Sequence, residues 1–244
     1  EIVIHLAANP EARRGLSDTR LDLELGLHTT LAVAEAARSL EVRRMFFASS
    51  GTVYGDRPQS MRETDLGSLP ISLYGASKLA SESFLSAFSS CFAMDVCVLR
   101  FGNVVGARAT HGVILDFLNK LAATPEELEV LGDGRQEKPY LHVSDCVRGI
   151  QHLVGKQPTG FEMFNLAPES TTTVARIAEL CVAASPHAGA RIRLTGGPRG
   201  WAGDVPVTRL NPAKLREHGY EVQRSSDEAV ELAVRELAAE VFQR

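Results

Sequence analysis

The chain has 244 residues, 44% of them hydrophobic and 23% charged, with a formal charge of −4. That is long for one ordinary domain and short for two full ones, and these fractions exclude disordered and fibrous classes. Twenty-six Lys+Arg against 30 Asp+Glu, without a long run of like charge, argue against a nucleic-acid surface built on a basic stripe. No apolar run is long enough to span a membrane, and no signal peptide with a basic start and apolar centre is present.

The opening Ile2-Val3-Ile4-His5-Leu6-Ala7-Ala8 is a continuous apolar run ending in small residues, as in a strand buried on both faces of a parallel sheet. Such a strand needs neighbours on both sides, so the expectation is a chain that begins in the middle of a fold. Thr19 to Leu40 carries Leu23, Leu27, Leu31, Ala34 and Ala37 at helical spacing. Arg44 to Ala48 reads as a second buried strand, closed by Ser49-Ser50-Gly51. After a loop with Pro58 and Pro70, Leu73 to Phe92 is helical by composition and Val96 to Phe101 is another strand. This alternation implies parallel βαβ units.

Further on, Val113 to Ala122, Ser144 to Val154 and Val174 to Ala184 read as helices. Glu129 to Leu131 reads as a short strand and Gly132-Asp133-Gly134 as a turn. Ser225-Ser226-Asp227-Glu228 is a capping-box pattern before a last helix with Val230, Val234, Leu237 and Val241 on one stripe. Cys91, Cys97, Cys146 and Cys181 are scattered in apolar stretches, as reduced and mostly buried thiols are. Neither they nor the seven histidines suggest a metal site.

Tyr74-Gly75-Ala76-Ser77-Lys78 carries the strongest chemical signal. Helix positions i and i+4 share a face, so the phenol and the ammonium can point into one cleft. A phenol with a pKa of about 10 is a poor base, and a nearby ammonium together with a cofactor cation is expected to lower that value. Some two dozen residues upstream, roughly one βα unit, Ser49-Ser50-Gly51-Thr52-Val53-Tyr54-Gly55 sits at the carboxyl end of a strand. Open α/β sheets place their sites there. Ser50 is then expected to hydrogen-bond the oxygen whose proton Tyr74 moves.

With His5-Leu6-Ala7-Ala8, Arg100-Phe101-Gly102-Asn103-Val104-Val105-Gly106 and Tyr140-Leu141-His142-Val143-Ser144-Asp145, these segments resemble the extended short-chain dehydrogenase/reductases. Within them they are most similar to NAD-dependent nucleotide-sugar epimerases of the UDP-glucose 4-epimerase type. The resemblance implies an α/β fold: a Rossmann-type doubly wound parallel sheet holding NAD, with a smaller α/β substrate domain. The expected division is 1–107 with 138–158 for NAD, and 108–137 with 159–244 for the nucleotide-sugar. The resemblance assigns catalysis to Ser50, Tyr74 and Lys78. It assigns NAD contacts to Leu6, Ala7, Ala8, Ser49, Tyr74, Lys78 and Phe101. Substrate contacts fall to Ser50, Thr52, Asn103, Lys138, Tyr140, Val174, Arg199 and Asp204. It also implies a UDP-sugar substrate, a homodimer and a cytoplasmic location.

The sequence departs from that pattern in places. No G-x-x-G-x-x-G turn follows the first strand to cradle the NAD pyrophosphate, so half of the cofactor site and several strands are expected to lie in about 60 residues, two βα units, before Glu1. Gly26 stands where the family commonly has asparagine, Lys138 and Trp201 where it commonly has arginine, and Ala167 and Glu169 where glycines are common. The leading expectation is epimerisation at C4 through a transient 4-keto sugar. The alternatives are a dehydratase, decarboxylase or reductase on a related substrate, or a non-catalytic binding protein on the same fold.

Overall fold

The computed structural model describes residues 1–65 and 67–242. In chain order the strands are β1 (Ile2–His5), β2 (Arg44–Ser50), β3 (Ser60–Met61), β4 (Asp95–Phe101), β5 (Asn103–Val105) and β6 (Glu127–Val130). They continue with β7 (Glu137–Lys138), β8 (Tyr140–His142), β9 (Phe161–Leu166), β10 (Thr172–Thr173), β11 (Arg191–Leu194) and β12 (Arg209–Leu210). The α-helices are α1 (Thr29–Ser39), α2 (Leu73–Phe92), α3 (Val113–Ala123), α4 (Val143–Lys156), α5 (Val174–Ala184), α6 (Ala213–Glu217) and α7 (Ser226–Phe242).

The main sheet is parallel, in the order β1-β2-β4-β9. Its central strands are apolar on both faces because each face is covered. Met45, Phe47, Val96 and Val98 pack on Ala34 and Ala37 of α1 and Leu85 of α2. Phe46, Cys97, Leu99 and Phe164 face the other way, onto Cys146 and Leu153 of α4. A separate core joins α3, α5 and α7 to β6 through Phe117, Leu128, Ile177 and Val234. The expected capping box starts α7: the Ser225 N–H and hydroxyl both donate to the Glu228 carboxylate at 2.8 Å.

β1 pairs with β2 alone among the described residues, and Ile2 and Ile4 are 38% and 46% exposed. Two expectations need correction. The Thr19–Leu40 helix is not one regular helix: Leu23–His28 is a π-helix leading into α1. The reason is close packing, since a Cβ on Gly26 would stand 2.7 Å from Ser77 Oγ of α2. Finally, β9 falls inside the span 159–244 given to the substrate domain, yet it pairs with β4 over Phe161–Leu166. Its buried Phe164 and Leu166 complete the main core, which draws the boundary past Leu166.

Candidate active site

At the carboxyl end of β2, the chain turns through a short 3-10 helix, Gly51–Tyr54. Ser50 caps it, its Oγ accepting from the Thr52 N–H at 3.3 Å and the Thr52 hydroxyl at 3.0 Å. The facing helix is α2, whose first turn is fixed by Ser72 Oγ accepting from the Gly75 N–H at 3.1 Å. α2 carries Tyr74, Lys78 and Glu82 four residues apart, on one stripe.

Tyr74 and Ser50 line a cavity of about 760 Å³. Ser49, Thr52, Phe101, Asn103, Lys138, Tyr140, Val174 and Asp204 line it as well, so strand ends, α2, α5 and the 200–205 loop meet there. Leu6, Ala7, Ala8, Lys78 and Arg199 do not line it. Leu6 at the end of β1 is 58% exposed. Arg199 instead bridges to Asp56 at 2.6 Å and donates to the Asp204 carbonyl at 3.3 Å. Lys138 and Asp204 meet each other: Nζ to Oδ1 is 2.5 Å, while Asp204 Oδ2 accepts from the Gly200 N–H. Each thus enters the cavity wall already paired.

Lys78 is buried behind Tyr74. Its Nζ donates to the Ala48 carbonyl at 2.6 Å and lies 4.8 Å from the centre of the Phe47 ring and 5.7 Å from that of Tyr74. Burial lowers its pKa to about 8, against the pull of Glu82 and Asp22. The expected lowering of the phenol is not what the fold produces. Burial pushes Tyr74 up to about 12, the Ser50 hydroxyl opposing and the Asp22 charge adding to it. In this environment Tyr74 is a protonated phenol at neutral pH, fit to donate.

Ser49 lines the cavity only in part, since its hydroxyl donates to Glu82 at 2.5 Å. Glu82 is held in turn by Arg100 through Nε at 3.0 Å and Nη2 at 2.6 Å. Arg100 lies 4.7 Å from the Tyr54 ring centre, and Tyr54 donates to Asn165 Oδ1 at 2.8 Å. Tyr140 is buried in the helical core and its phenol is pushed up by that burial. Arg13, Arg108 and His111 also line the cavity, and no motif in the sequence marks them.

A nicotinamide-ribose end suits the residues present. The buried Lys78 ammonium has three donors and one hydrogen-bond acceptor among the described residues, Ala48, so it can take hydroxyl partners beside Tyr74. The pyrophosphate end would need a glycine-rich turn between a buried strand and a helix; the one G-x-x-G-x-x-G spacing here, Gly197 to Gly203, lies in the loop after β11 instead.

Open α/β sheets place their sites at the carboxyl ends of the strands, and in this parallel sheet Ser50 and Tyr74 lie there with Lys78 behind them. The NAD dependent epimerase/dehydratase family matches residues 1–167, and the chain belongs to that family. It is 30% identical over 222 residues to a UDP-glucose 4-epimerase of Mycolicibacterium smegmatis, covering 89% of this chain and 69% of that one. To an uncharacterized UDP-glucose epimerase, YtcB, of Bacillus subtilis it is 28% identical over 181 residues, 74% of this chain and 57% of the relative. The crystal structure of a UDP-galactose 4-epimerase superposes with a TM-score of 0.87 at 33% identity, covering 99% of this chain and 78% of that one.

Proposed function

We propose that the chain carries the catalytic and substrate-binding part of a nucleotide-sugar 4-epimerase that works with NAD on a UDP-sugar. The observation that carries this reading is the geometry of Tyr74, whose phenol lines the cavity wall beside Ser50 with the Lys78 ammonium buried behind it. Tyr74 would exchange a proton with the sugar 4-hydroxyl, and Ser50 would share that oxygen. Lys78, with Tyr74, would hold the nicotinamide ribose, and its positive charge would offset part of the burial that raises the phenol. Ser49 and Phe101 complete the cofactor wall, with Leu6, Ala7 and Ala8 beside it. Bound NAD supplies the acceptor and later the donor of the C4 hydride.

Thr52, Asn103, Tyr140, Val174 and the Lys138–Asp204 pair would receive the sugar and the UDP group, and Arg199 would brace the Asp204 backbone. The main sheet serves the NAD side and the α3, α5 and α7 core the nucleotide-sugar side. Inversion is favoured over elimination by the positions after Ser50. Gly51 carries no side chain to act as an acid, and the Thr52 hydroxyl is neither acid nor base at neutral pH. A homodimer is the proposed assembly and the cytoplasm the proposed location. No described helix is long and apolar enough to cross a membrane.

The test is incubation with NAD and, separately, UDP-glucose, UDP-galactose and UDP-glucuronate, with the products resolved by chromatography. The 4-epimers are expected, and Tyr74→Phe should lower turnover by roughly 10²–10⁴-fold while leaving UDP-sugar binding in place. A 4-keto-6-deoxy sugar or a pentose would replace this reading with elimination or decarboxylation. Unchanged turnover in Tyr74→Phe would move the site elsewhere.

A further inference from the structure

One stretch of the cavity wall is held from outside the cavity. Residues 106–112 join β5 to α3, and every one of them lines it. Gly106 packs so closely on the start of α4 that a Cβ there would stand 2.7 Å from Val143 Cγ1. The next two backbone N–H groups are taken by carboxylates one turn apart on α7. Ala107 N–H donates to Glu236 Oε2 at 2.8 Å, and Arg108 N–H donates to Glu240 Oε1 at 2.9 Å. Glu236 is itself fixed: His142 Nδ1 accepts from the Ser144 N–H at 3.3 Å, which leaves Nε2 to donate to the same Glu236 oxygen at 3.2 Å. Clamped in this way, Arg108 sits in the left-handed region at a φ of 60°, where a side chain costs energy that a glycine would not.

The Arg108 guanidinium has no hydrogen bond or ion pair among the described residues, although its backbone is bound. The cations expected at the substrate wall are spent, Lys138 on Asp204 and Arg199 on Asp56. Asp116 of α3, an acid in the same wall, is answered by Lys120 at 2.8 Å. Arg13 belongs to the Tyr74 end, because its 3-10 helix, Ala12–Leu16, packs on the start of α2, where a Cβ on Gly15 would lie 3.5 Å from Leu73 Cβ. We propose that Arg108 is the cation that binds the diphosphate of the UDP group, and that Glu236 and Glu240 are positioning residues that hold its backbone for that contact. The proposal rests on the reading of the cavity as a nucleotide-sugar site. The loop hangs on α7, which with α3 and α5 builds the core given to the nucleotide-sugar side. A diphosphate brings several negative charges and a row of oxygens, which a guanidinium fork meets with paired hydrogen bonds.

Positioning and plain electrostatics predict opposite signs here. Removing a carboxylate near an anion site relieves repulsion and tightens binding, whereas removing a clamp releases Arg108 and weakens it. The experiment is calorimetric titration of the full-length protein with UDP at low salt, with a melting temperature recorded for each variant. The variants are Arg108→Gly, Glu240→Ala, Glu240→Gln and the Arg108→Gly/Glu240→Ala double. Glycine suits the left-handed backbone, so Arg108→Gly should melt no lower than wild type. It should nonetheless bind UDP roughly tenfold or more weakly. Glu240→Ala should also weaken UDP binding, while Glu240→Gln, which keeps an oxygen for the Arg108 N–H, should bind as wild type does. The double variant should bind no more weakly than Arg108→Gly alone, because the clamp acts through that side chain. Unchanged affinity in Arg108→Gly, unchanged or tighter binding in Glu240→Ala, an equal loss in Glu240→Gln, or additive losses in the double variant overturns the proposal. So does a wild type without measurable UDP affinity, or an Arg108→Gly that melts well below wild type. Turnover of UDP-sugars tests the function separately: an inactive or eliminating enzyme with these UDP affinities would overturn the 4-epimerase reading and leave the clamp standing.

Discussion

The polar stripe of α2 has two ends built on opposite rules. At Glu82, every charge is answered: Arg100 gives two hydrogen bonds, Ser49 a third, and Tyr54 and Asn165 extend the chain of partners across β9. One turn earlier, Lys78 has a single carbonyl acceptor, Asp22 an unpartnered oxygen, and Tyr74 a phenol pushed up to about 12. Both ends are buried against the same strand, so burial alone does not separate scaffold from site. What separates them is satisfaction. A fully paired buried network fixes geometry, whereas groups held charged or protonated without full partners retain chemistry to perform.

The comparison breaks most sharply at Arg100. Arg100→Met strands the Glu82 carboxylate in the core and should cost about 3–5 kcal/mol in a denaturant titration. Tyr54→Phe leaves Asn165 Oδ1 without its donor and should cost about 1–3 kcal/mol by the same measurement. Gly26→Ala gains helix propensity but drives a methyl into Ser77, so a net loss of about 1 kcal/mol or less is expected.

The effect at the other end depends on pH. Because the folded Lys78 titrates near about 8, below the ordinary value of about 10.4, the unfolded chain holds a proton in that window that the folded chain releases. This group's contribution to stability therefore rises with pH between those values. Below the window, the charged ammonium is buried at full cost. The stability of Lys78→Met relative to wild type should accordingly fall from about pH 8 to about pH 10. A constant difference would mean that Lys78 is not buried as a charge.

Much of this was legible in the sequence, for a physical reason. The limits read for α2 and α5, Leu73–Phe92 and Val174–Ala184, agree with the structure because local periodicity and capping set them. The pairing of β9 with β4 extends the parallel sheet that the βα alternation implied. The charge partners were not legible. Ser49 meets Glu82 across 33 residues and Lys138 meets Asp204 across 66, and no spacing rule connects them. The π-helix was hidden because its cause, the approach of Gly26 to Ser77, is tertiary. Asn9 and Asp22 meet across 13 residues, a contact that no motif marks. The burial that raises the Tyr74 phenol was not legible because tertiary packing sets it, whereas the expected lowering counted a cofactor cation beside the ammonium.

The central claim is that a sugar C4 is oxidised and reduced within one site, with Tyr74 handling the hydroxyl proton. The most direct measurement uses UDP-glucose carrying deuterium at C4, incubated with the full-length protein and NAD and followed by mass spectrometry and NMR. The account predicts UDP-galactose that retains the C4 deuterium, formed by wild type and nearly absent in Tyr74→Phe. Epimer formed with the label lost to solvent, or formed at an undiminished rate by Tyr74→Phe, would contradict it.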